Sequence, residues 1–152
     1  MFLYKKGETG QTMTATGTKI RGAGIFLSVT TLLGLGGVAL SAEHATHTAE
    51  VLNKMAPHQI AALTLIPLGN TALGREVAAG TFTLPNATQI LHELKQLISH
   101  LQGITCQFHA NHASSYLPLA GRLPRDKDSL LASIDMALAG AIPLVPDYRR
   151  AL

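Results

Sequence analysis

Twenty consecutive residues without a charge, AGIFLSVTTLLGLGGVALSA at 23–42, constrain this chain more than any other feature. A run of that length spans a bilayer core if it forms one helix, and its glycines are of the kind that let helices pack closely in lipid. The composition argues for a different solution. IFLSVTTLL at 25–33 is rich in β-branched and aromatic residues, as strands are. Gly34, Gly36 and Gly37 then break regular structure, and Ser28, Thr30, Thr31 and Ser41 dilute the hydrophobicity. The segment therefore reads as a buried parallel strand running into a glycine turn, with a membrane anchor as its rival.

The rest of the chain supports the strand, because helical and strand-like segments continue to alternate. Before it, residues 9–23 form a poor helix weakened by Gly10, Gly17 and Gly22. After it, SAEHATHTAEVLNKM (41–55) has Ser41 as N-cap, an apolar face of Ala45, Ala49, Leu52 and Met55, and a stop at Pro57. IAALTLI (60–66) is a second buried strand. A long loop with a short helix near 71–79 precedes NATQILHELKQLISHL (86–101), where Asn86 and Gln89 form a capping box and the leucines and isoleucines recur at helical spacing. ITCQF (104–108) is a third strand. Asp126 or Asp128 starts a last helix, and AIPLVPDYRRAL is a proline-containing tail. Such alternation predicts an α/β fold of parallel strands with outer helices. Three strands are too few to close a barrel and would leave two exposed edges, so residues 1–140 read as part of something larger, and 141–152 as a tail.

Composition narrows the function classes. The 152 residues are 47% apolar and only 14% charged, too apolar for disorder. Twelve basic against nine acidic residues leave +3, and the basic residues are scattered apart from Arg149–Arg150 and the Arg122/Arg125/Lys127 cluster. With no Trp there is no basic-aromatic stripe, so nucleic acid is not expected as a partner. The one cysteine, Cys106, excludes an intrachain disulfide and suits a reducing compartment. The first residues, MFLYKKGETGQT, lack the apolar core of a signal peptide. A cytoplasmic location is expected.

Ligands of parallel α/β folds bind at the carboxyl ends of strands. Three segments fall there: GLGGVALSAEH (34–44), PLGNTALGRE (67–76) and HANHASSYLPLAGRLPRDK (109–127). The first allows close backbone approach to a planar ligand, or is a plain turn; it fits neither a dinucleotide fingerprint nor a P-loop. His44 and His47 lie three apart on a helix, and Cys106, His109 and His112 form C-x-x-H-x-x-H. Strand alternation sends residues 106 and 109 to opposite faces, so no metal site is expected. Glu43 with His44 or His47 is a candidate acid–base pair, although a helix dipole accounts for Glu43 equally well.

Taken together, KKGET (5–9), AGIFLSVTTLLGLGG (23–37), LSAEHATHTAEVLNKMAP (40–57), ALTLIPLGNTAL (62–73) and NHASSYLPLAGRLPRDKDSLLASID (111–135) resemble the carboxyl-terminal half of a radical S-adenosylmethionine (radical SAM) protein. The nearest type is the uncharacterised iron–sulfur oxidoreductase group, with its similar NHASNYLPLKG-LPRDK signature. The resemblance implies a partial barrel in which a [4Fe–4S] cluster cleaves S-adenosylmethionine to a 5′-deoxyadenosyl radical. It implies an adenine pocket at Leu33, Gly34, Leu35, Gly36 and Gly37. It also implies a substrate-side loop bearing His109, Asn111, His112, Ser114 and Tyr116, with the catalytic residues left unassigned. The cluster motif C-x-x-x-C-x-x-C is absent from this sequence. No cofactor is therefore expected on this chain alone, and either an amino-terminal half chain or self-association is expected to complete it. The alternatives are a non-enzymatic interaction module and the membrane protein anchored by 23–42.

Overall fold

A computed structural model describes residues 7–152; Lys5 and Lys6 of the KKGET segment lie outside them. The elements are α1 (Gly10–Gly22), β1 (Ser28–Leu33), α2 (Ser41–Met55), β2 (Gln59–Thr64), α3 (Ala72–Ala79), α4 (Ala87–His100), β3 (Cys106–Ala110), β4 (Leu119–Leu123) and α5 (Lys127–Leu138), with a short 3-10 turn at Asp147–Arg149. The strands form one sheet in the order β1-β2-β3-β4. β1, β2 and β3 are parallel, with Thr30 opposite Ala61 and Ala61 opposite His109. The chain is α/β, as its alternation requires.

Two expectations change. Among the described residues the sheet has four strands rather than three, because Leu119–Leu123 pairs antiparallel with β3, Cys106 opposite Leu123 and His109 opposite Ala120. LAGRL has no β-branched residue, and its strand conformation comes from pairing rather than propensity. Residues 23–42 are neither a spanning helix nor a strand buried on both sides. The strand begins at Ser28, Ile25 and Phe26 are exposed, and β1 alternates in burial along an open sheet edge. Among the described residues, no helix is long and apolar enough to cross a membrane.

The core lies on one face of the sheet. Leu33 of β1, Ile60 and Ala62 of β2, and Cys106, Phe108 and Ala110 of β3 are buried in a single cluster. That cluster also contains Leu52 of α2, Leu91, Leu94 and Ile98 of α4, and Ile134 of α5. The helices pack side by side, α1 on α2, α2 on α4 and α4 on α5. The opposite sheet face carries exposed Thr30 and half-buried Leu32, Ala61, Leu63, Gln107 and His109. Parallel sheets are normally covered on both faces; among the described residues, helices cover this one on one face.

Local chemistry explains where the helices start. Asn86 and Gln89 do form the capping box: Gln89 N–H donates to Asn86 Oδ1 and Asn86 N–H to Gln89 Oε1, each at 2.9 Å. The glycine-weakened α1 is a full helix, capped by a Thr9–Thr12 box, and Gly17 lets it approach α2, since a Cβ there would lie 2.7 Å from Met55 Cε. Ser41 is not the N-cap of α2. Leu40 holds that position without a side-chain bond, and the Ser41 hydroxyl points to α4 instead.

Candidate functional site

Three connections gather at the carboxyl ends of the parallel strands. The first, after β1, is the glycine turn. Leu33, Gly34, Gly36 and Gly37 are buried and Leu35 is half-buried. Gly34 (φ +87°) and Gly37 (φ +62°) adopt left-handed backbone that favours glycine. Gly37 N–H donates to Gly34 O at 3.0 Å, closing the turn on itself. Gly34 N–H donates to Glu93 Oε1 on α4 at 3.1 Å.

Glu93 organises this corner. Its side chain is completely buried, on the same helix face as Ile90, Leu94 and Leu97. Besides Gly34, it accepts from the Ser41 hydroxyl at 2.7 Å (Oε2) and lies 2.8 Å from His44 Nδ1 (Oε1). Gln96, one turn on, donates to Ala42 O and Thr46 Oγ1. Helix α4 thus holds both the turn and the start of α2. The carboxylate partner of His44 is Glu93, 49 residues away, and not the neighbouring Glu43. Sequence reasoning passed over Glu93; the available signal was one acidic residue within the apolar stripe of α4.

The second and third connections meet beside β2. Ser114, fully buried, accepts from Thr64 N–H at 3.0 Å, tying the 111–118 connection to the end of β2. Ser114 N–H donates to His112 Nδ1 at 3.2 Å, which leaves that nitrogen an acceptor for the Ser114 hydroxyl at 3.0 Å. Tyr116 is buried under the tail. Its hydroxyl donates to Asp147 Oδ1 at 2.8 Å, and the Arg150 guanidinium lies 3.7 Å over its ring. Arg150 also donates to Ser114 O at 2.8 Å and to Asp147 Oδ1 at 2.6 Å. Burial and the bond to Asp147 push the Tyr116 hydroxyl up to about 12, while Tyr116 and Arg150 hold the Asp147 carboxyl below its ordinary value. The tail is pinned by Val145 N–H on Tyr116 O and Ala151 N–H on Ala113 O. A pocket of about 420 Å³ opens here, between Leu65–Pro67, Pro85–Asn86 and the Tyr116–Asp147–Arg150 triplet. Asp147 and Arg150 had no assigned role in the sequence.

The substrate-side candidates do not converge on one point. His109 lies on the uncovered sheet face, Asn111 and His112 are exposed on the connection, and Ser114 and Tyr116 are buried beneath it. Cys106 faces the helices, and burial pushes its thiol up. It therefore diverges from His109, and no group of three His, Cys, Asp or Glu among the described residues could hold a metal ion. The basic cluster has structural partners. Arg125 forms a double hydrogen bond with Asp126, whose carboxyl falls to about 2 chiefly through that contact and the Arg122 N–H. Lys127 Nζ binds Ser99 O and Leu101 O at the carboxyl end of α4. No family model, curated protein or solved structure matches the chain.

Proposed function

We propose that the chain is the carboxyl-terminal portion of a radical SAM-type partial barrel, placing loops beside the adenine and substrate sides of a site that a second chain completes. The observation that carries this reading is the sheet. Among the described residues, three parallel strands run in consecutive order, helices cover one face, and the other face is open with His109 on it. Strands wound in one direction around a lumen have this order and this asymmetry, whereas a doubly wound sheet reverses direction and is covered on both faces.

The chain's own residues fit the two implied groups unequally. A [4Fe–4S] cluster needs several thiolates, and the single cysteine is buried toward the helices, where burial pushes its thiol up. The cluster does not fit this chain's own residues. At the adenine side, the N–H groups of Gly34 and Gly37 are spent within the protein. Half-buried Leu35 remains as an apolar contact.

The test is co-expression with the amino-terminal half of a related enzyme carrying C-x-x-x-C-x-x-C, followed by anaerobic reconstitution. The expected result is a co-purifying complex with about four irons that releases 5′-deoxyadenosine from S-adenosylmethionine. A monomer without affinity for that half overturns the reading. The β1 edge, unpaired among the described residues, favours a second reading, an interaction module that pairs this edge with a partner strand and has no chemistry of its own. Complex formation without S-adenosylmethionine cleavage selects it.

A further inference from the structure

The chain beyond α5 is anchored unevenly. Ile142 and Leu144 pack against the core cluster and form its root, whereas no residue from Val145 to Leu152 belongs to that cluster. Among the described residues, this outer stretch makes four hydrogen bonds to the rest of the molecule, and all of them go to residues 113–116. Val145 N–H donates to Tyr116 O, Ala151 N–H to Ala113 O, Arg150 Nε to Ser114 O, and the Tyr116 hydroxyl to Asp147 Oδ1. Arg150 reaches inward: its side chain is 7% exposed, against 79% for Asp147, and its guanidinium covers the Tyr116 ring. Arg149 faces outward, over the exposed Tyr148 of the same stretch. The covered segment is buried at Ser114, Ser115 and Tyr116. Within it, the Ser115 hydroxyl is sealed with no hydrogen-bond partner among the described residues.

We propose that residues 145–152 are a strap that lifts from residues 113–116 while the sheet and helices stay folded, with Arg150 as its latch and the strand-end pocket as the site it gates. Asp147 and Arg150 form one wall of that pocket, and Leu65–Pro67, Leu84–Asn86 and Tyr116 form the rest. Lifting the strap removes this wall and uncovers the Tyr116 ring and hydroxyl. A segment held by few hydrogen bonds and little apolar burial opens at a free energy below that of global unfolding. Opening also lets water reach the Ser115 hydroxyl, whose missing partner is a cost of the closed form. Arg150 is the latch because its contacts close a circuit. It bonds Ser114 O, covers the Tyr116 ring, and meets the Tyr116 hydroxyl at the same Asp147 oxygen. The strap controls access to the substrate side proposed above, and that role rests on that reading. The opening itself does not: its test needs neither a cluster nor a second chain, so either can fail while the other stands.

The experiment is native-state hydrogen exchange of the full chain, read by NMR over a series of low urea concentrations. The Val145 and Ala151 amides are expected to be protected, yet roughly a hundredfold less than those of Ile60 and Ile98 in the core. Their exchange is expected to depend little on urea, because a local opening exposes little surface. Arg150→Ala is expected to lower protection at Val145 and Ala151 at least tenfold and leave Ile60 and Ile98 unchanged. Arg149→Ala removes the same charge from the outward side and is expected to change neither. A soluble paramagnetic chelate is expected to relax the Tyr116 ring protons at least twofold faster in Arg150→Ala than in wild type. Should Arg150→Ala fail to fold, the wild-type urea series decides alone. Three results overturn the strap: no protection at Val145 and Ala151, exchange there with the urea dependence of Ile60 and Ile98, or an Arg150→Ala effect that is absent or equal in the core. An unchanged Tyr116 relaxation overturns its role as a gate.

Discussion

A carboxylate with no exposed surface survives only if its oxygens are satisfied, and Glu93 meets that condition with three contacts to two other segments. Glu93→Ala leaves the Gly34 N–H, the Ser41 hydroxyl and His44 Nδ1 without their acceptor. At about 1 kcal/mol or more for each unmade bond, the expected loss is roughly 3 kcal/mol, read as a lower urea midpoint with an unchanged slope. Tyr116 and Asp147 make the second residue-scale prediction. The raised Tyr116 value stabilises the docked tail fully below the ordinary tyrosine value, about 10, and that contribution is lost as pH rises through about 12. The lowered Asp147 value works in the opposite direction: its contribution is present above the ordinary carboxyl range and disappears as pH falls through the depressed value. Phenolate absorbance of wild type minus Tyr116→Phe is expected to show one tyrosine ionising near 12, and Asp147→Asn is expected to move that ionisation downward, since the Asp147 bond raises it. A difference titration centred near 10 contradicts the buried, bonded hydroxyl.

Elements with strong local signals were legible, and those made by tertiary pairing were not. Asn86 and Gln89 announced α4, and Asn86→Ala is expected to cost about 1 kcal/mol, measured by thermal unfolding. Rescue by Asn86→Asp or Asn86→Ser identifies the loss as one of capping. The apolar faces of α2 and α4 and the runs that became β1, β2 and β3 were likewise readable from periodicity. The strand β4 was not, because LAGRL has the composition of a loop and becomes a strand only beside β3. Helix α1 reads as weak because propensity counts Gly10 and Gly17 as costs. In the fold, those same two glycines admit Val51 and Met55 of α2 to the helix surface. Of the candidate site, the strand-end loops were visible in sequence, whereas Glu93, Asp147 and Arg150 were not. Apart from the Asp147–Arg150 contact itself, their partners lie 31 to 59 residues away along the chain.

At the scale of the whole molecule, the two sheet edges differ, and the difference says where a partner strand belongs. β4 is five residues long, carries Arg122, and lies between Pro118 and Pro124; short length, charge and proline all discourage edge pairing. β1, at six residues little longer, has neither the charge nor the flanking prolines. SVTTLL is uncharged, pairs among the described residues only with β2, and follows the exposed Ile25 and Phe26. A net charge of +3 gives little repulsion against association. The expected behaviour of the isolated chain is therefore self-association through β1, two copies satisfying each other's free edge about a two-fold axis. Sedimentation over a range of concentrations is expected to show a monomer–dimer equilibrium. Thr30 is exposed on β1 and points away from the buried face, so Thr30→Lys introduces an edge lysine without entering the core. It is expected to shift the equilibrium to monomer at unchanged melting temperature. Arg122→Glu on β4 is expected to leave association as it was. Monomer at every attainable concentration, or a dimer insensitive to Thr30→Lys, would mean that β1 is not the edge through which this chain finds its partner.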